Sequence, residues 1–165
     1  MIINIDPFDP KSVESALRQV EAYKNSLKDK ERLLLDKLAS MGATKVRMVY
    51  AIFPHYEQTD IDVTFNVRDN VATITAQGEA IAFIEFGAGK YHNGAESYPL
   101  PRPSGIVGIG DYGKGHGKRD AWGYYRNGNR DDLVITHGNP PAQAFYEAEL
   151  EIAQKVYDIV REVFK

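Results

Sequence analysis

From Lys11 to Met41 the chain has neither glycine nor proline, and directly before this run Asp9-Pro10 sets a capping residue ahead of a proline. A stretch of that length without a helix breaker has few alternatives to one long helix, and Asp followed by Pro is a common helix start. Its apolar residues are Val13, Leu17, Val20, Leu27, Leu34, Leu38 and Met41, a stripe of sevenfold spacing interrupted by Lys24 and Glu31. A stripe broken in the middle predicts a helix packed on another element of the chain, because a free-standing coiled coil wants those two positions apolar. The helix is expected over residues 10–41 with Gly42 as its stop or hinge. Lys45 to Phe53 reads as a second helix or a strand, with the helix favoured.

Beyond Pro54 the period changes from seven to two. Ile61-Asp62-Val63-Thr64-Phe65-Asn66-Val67 alternates as a half-buried strand does, and Asp69-Asn70 turns it into Val71-Ala72-Thr73-Ile74-Thr75-Ala76. These form an expected antiparallel hairpin over 60–77. Ala80 to Gly87 is apolar almost throughout, with Glu85 as its one carboxylate, and reads as a short helix on that hairpin. Residues 87–121 are irregular: nine of the 35 are glycine, and Pro99, Pro101 and Pro103 alternate. Long insertions without secondary structure serve a function or lack order. A second hairpin is expected from Trp122–Arg126 and Leu133–Thr136 around Asn127-Gly128-Asn129. The last helix is expected over 140–164, with Phe145, Ile152, Val156, Ile159 and Val163 on its apolar face and Leu150, Tyr157 and Val160 at the flanks. Together these make a single α+β domain over residues 1–165, an antiparallel sheet with a long N-terminal helix, a C-terminal helix and a Gly/Pro-rich loop.

Composition narrows the chemistry. A chain of 165 residues buries roughly 70% of its unfolded surface and needs no staple. It has no cysteine, which removes thiol catalysis, cysteine-ligated zinc and disulfides, and suits a reducing cytoplasm. The N-terminal Met1-Ile2-Ile3-Asn4-Ile5-Asp6-Pro7 lacks the basic start and apolar run of a signal peptide, and no apolar stretch approaches the ~20 residues of a membrane helix. A net charge of −3 argues against a general DNA-coating protein.

Several motifs point toward chemistry without completing it. Gly108-Ile109-Gly110-Asp111-Tyr112-Gly113 spells GxGxxG, but Lys114-Gly115-His116-Gly117-Lys118 follows where a helix is needed to hold a pyrophosphate. Gly108 to Lys114 also matches the start of a P-loop, with Gly115 where a magnesium-binding Ser or Thr belongs. His55, His92, His116 and His137 show no metalloenzyme spacing, and Ser97 and Ser104 have no recognisable partners. His92, His116 and Asp111 are a candidate metal set within the loop. Glu85, in an apolar run, is either a general base or a structural acceptor of backbone amides or of a basic partner. Between Lys90 and Asp132 seven Lys/Arg face five Asp/Glu, a formal +2 that is small for a phosphate-binding stripe. No cofactor, metal or catalytic set is expected.

Three segments in order resemble the tail-completion family of long-tailed phages and prophages, also described as minor capsid or tail-component proteins. They are Leu17 to Gly42, ending in Leu38-Ala39-Ser40-Met41-Gly42; Ile81-Ala82-Phe83-Ile84-Glu85-Phe86-Gly87-Ala88-Gly89; and Thr136-His137-Gly138-Asn139-Pro140-Pro141-Ala142-Gln143-Ala144-Phe145. Ala144 stands where the family commonly has proline, and the 87–121 loop is longer than in many members. The resemblance implies a structural virion subunit without a catalytic set, made in the host bacterial cytoplasm. It would assemble as a head–tail joining ring between the head connector and the tail tube. The implied partners are an adaptor or head-closure subunit, the tail tube or a tail terminator, and further copies of itself, with DNA only as passing cargo and no membrane.

A tail terminator or head-closure subunit is the near alternative. A small hydrolase or nuclease built on Glu85 and loop histidines, or a nucleic-acid-binding module using the basic loop, are the alternatives of another class. Expected assembly contacts are Glu85, Phe86, Pro101, Lys114, Lys118, Arg119, Trp122, Tyr124 and Tyr125. Extended loops that order on a neighbour, with aromatic anchors beside them, suit such a role.

Overall fold

The computed structural model describes residues 2–53, 61–78, 81–89, 119–125 and 128–165. Seven elements follow in chain order: α1 (Pro10–Ile52), β1 (Asp62–Arg68), β2 (Val71–Gln77), α2 (Ile81–Phe86), β3 (Trp122–Tyr125), β4 (Leu133–Thr136) and α3 (Ala144–Val163). The α+β class read from the sequence holds.

Helix α1 begins as expected. Asp9 is extended, its side chain accepts from the Lys11 amide at 3.0 Å, and Pro10 takes the first helical position. The expected stop at Gly42 is overturned, since the helix runs on to Ile52 and takes in the separate helix read for Lys45–Phe53. Gly42 is not there to end the helix. A Cβ at this position would lie 2.6 Å from Ile74 Cδ1 of β2 and 2.9 Å from Ile152 Cδ1 of α3. The residue is small because two other elements converge on it. The true end is Phe53, at φ −78° and ψ 112°, where the following proline steers the backbone out of the helical region.

β1 and β2 pair in antiparallel register from Asp62↔Gln77 to Arg68↔Val71. Asp69 and Asn70 both take positive φ, 51° and 59°, as a two-residue turn with the twist of its strands requires. Val63, Phe65, Ile74 and Ala76 face the core. Arg47 of α1 donates from Nε to the Val63 carbonyl at 3.1 Å and also from a terminal guanidinium nitrogen, tying the helix to the strand backbone. β3 and β4 pair from Trp122↔Thr136 to Tyr125↔Leu133. Among the described residues the strands make two two-stranded sheets and not one sheet.

The core gathers Ala43, Val46 and Tyr50 of α1, Val63 of β1, Ile84 of α2, and Ala144 and Ala148 of α3. Small buried residues occur on both helices, Ala39, Gly42 and Ala43 on α1 and Ala144 and Ala148 on α3. The helices run antiparallel, with Lys45 beside Glu147 and Glu151 at one end and Lys37 bonded to Glu162 at 2.7 Å toward the other. The expected α3 face is half-buried apart from Val163, which is buried; Leu150 and Tyr157 at its edges are exposed. No helix among the described residues is long and apolar enough to cross a membrane.

Candidate functional site

Three segments meet in a hydrogen-bonded junction around Glu85. Ala88 and Asn139 exchange two backbone hydrogen bonds, each 2.9 Å, and pair the end of α2 with the approach to α3. The Ala142 amide then donates to the Ile84 carbonyl at 2.8 Å, and that of Gln143 to the Glu85 carbonyl at 3.3 Å. α3 therefore starts at Ala144 and not near Pro140, because the amides of Asn139, Ala142 and Gln143 are bonded to carbonyls of the α2 segment. Asn139, itself buried, extends its side-chain amide to the Phe83 carbonyl at 2.8 Å and the Pro140 carbonyl at 3.0 Å. Gly138 makes the approach possible: it sits at φ +101°, and a Cβ there would fall 1.9 Å from the Ala88 carbonyl oxygen.

The start of α3 lacks a local cap. Gln143 is left-handed and its side chain makes no capping bond. Glu85 supplies what is missing from 59 and 60 residues away in sequence. Its Oε2 accepts from the Ala144 amide at 3.0 Å, and its Oε1 from the Phe145 amide at 3.1 Å. Tyr50, in the last turn of α1, donates its hydroxyl to the same Oε2 at 2.8 Å. A carboxylate at this end of a helix meets free N–H donors and the positive end of the helix dipole together. With Glu85 only 3% exposed, these partners make its burial tolerable. Of the two sequence readings of Glu85, the geometry supports the structural acceptor of backbone amides.

The other expected contact residues fall into separate groups. Phe86 is buried beside Glu85 within this chain. Trp122 is half-buried, with its ring 3.1 Å from where a Cβ on Gly89 would stand, so it covers the junction. Arg119, Tyr124 and Tyr125 are exposed. On the outward face of the second hairpin Tyr125 pairs with Leu133, and Ile135 sits opposite Gly123; Tyr125, Leu133 and Ile135 are each more than half exposed.

Pro101, Lys114 and Lys118 lie outside the described residues, as do His55, His92, His116, Asp111, the GxGxxG and P-loop-like runs, Ser97 and Ser104. His137 Nδ1 lies 2.9 Å from the Asp120 carbonyl, and no group of three His, Asp or Glu placed to hold a metal occurs among the described residues. Sequence reasoning missed Tyr50, Gly138 and Asn139 as parts of the Glu85 junction. The run Gly138-Asn139-Pro140 was the available signal, because a glycine and an amide before a proline mark a specified turn.

Comparison of the chain with models of protein families, with curated proteins and with solved structures found no match.

Proposed function

We propose that this chain is a structural subunit of a tailed-phage particle, acting in head–tail joining or tail completion as one member of a ring between head connector and tail tube. The observation that carries the reading is the junction itself. Two of the three segments that resemble the tail-completion family, 81–89 and 136–145, are direct partners in space. The third runs along α1, whose continuation ends at Tyr50 on the same carboxylate. Residues that resemble the family's motifs thus serve one architectural purpose, to fix α3 against α2 and α1.

A second feature suits assembly. Tyr125, Leu133 and Ile135 form an apolar outward face on a hairpin, and Val13, Leu17 and Val20 form another on α1. A ring closed by repeated head-to-tail contacts needs two different surfaces on each subunit. Exposed clusters of large apolar side chains are where such contacts form.

The test is deletion of the gene from the phage or prophage, followed by negative-stain electron microscopy of the lysate. The expected result is separate DNA-filled heads and tails with few joined particles, restored when the gene is supplied in trans. Normal infectious particles would overturn the assignment. A tail terminator would instead give tails of irregular length, which the same images distinguish.

A further inference from the structure

We draw no further inference here: the strongest candidate, the exposed apolar patch of Tyr125, Leu133 and Ile135 on the outward face of the second hairpin, carries nothing, because nothing in the structure shows what covers it.

Discussion

Leu34, Leu38 and Met41 are half-buried in the body that α3 builds, while Val13, Leu17, Val20 and Leu27 continue the same stripe along α1 into solvent. Both halves of the helix have apolar residues at the same spacing and charged residues between them. In the second half, alanines and Gly42 let α3 and the first hairpin approach closely, and Val46 and Tyr50 fall inside the core. In the first half Ala16 alone is buried. Periodicity therefore specifies a face and its direction, whereas burial of that face depends on whether the rest of the chain reaches it. α3 is 20 residues long against 43 for α1, so one face cannot be covered along its whole length by the other helix.

The sharpest way to break this contrast is to put a charge into each half. Val46→Asp places an unpaired carboxylate at a fully buried position and should abolish cooperative unfolding, at a cost above about 4 kcal/mol. Leu17→Glu should change monomer stability by less than about 0.5 kcal/mol. Chemical denaturation followed by circular dichroism measures both at a protein concentration where the monomer dominates. Equal losses from the two would mean that the first half is also part of the folded body.

A smaller effect tests how the second half is fixed. Glu85→Ala removes the carboxylate that accepts from the Tyr50 hydroxyl and the Ala144 and Phe145 amides, and about 3 kcal/mol should be lost. Glu85→Gln keeps one acceptor oxygen and should lose less. Tyr50→Phe removes the hydroxyl's bond to Glu85 and should cost about 1 kcal/mol. Hydrogen exchange at the first turn of α3 should rise in the same order as the stability losses. If Glu85→Ala is as stable as the parent, the carboxylate does not serve as the helix cap.

The smallest expected effect lies where the covered and uncovered halves meet. The hydrogen bond from Lys37 holds the Glu162 carboxyl below its ordinary value of 4.5, and the Lys37 charge adds to this. A lowered folded-state pKa gives stability that is present above pH 4.5 and is lost as the pH falls through the folded-state value. Both side chains are largely solvated, so Glu162→Gln should barely move the melting temperature at pH 7. It should slightly flatten the decline in stability below pH 4.5. An unchanged acid limb would show that the pair contributes nothing to holding α3 on α1.

Much of the fold was legible because it follows from local rules. Asp9-Pro10 starts α1, the alternation in 61–67 gives a strand, and Asp69-Asn70 are residues that tolerate the left-handed turn. The errors at Gly42 and near Pro140 share a cause. Glycine and proline were read as local punctuation, but Gly42 is small to admit Ile74 and Ile152, and the start of α3 waits for Glu85. The junction was only half visible. A carboxylate in an apolar run announces that it needs donors, yet nothing in the run says which donors. Those lie on two segments remote in sequence.

The sequence by itself determined the element types, the α+β class, the apolar stripe along α1 and the tight turn of the first hairpin, because each depends on the conformational preferences of neighbouring residues. Only the tertiary structure decided how far α1 extends past Gly42, which part of its stripe is covered, and that Glu85 caps α3. Those outcomes depend on atoms far apart in the chain meeting within hydrogen-bond or van der Waals distance, and no local pattern encodes such a meeting.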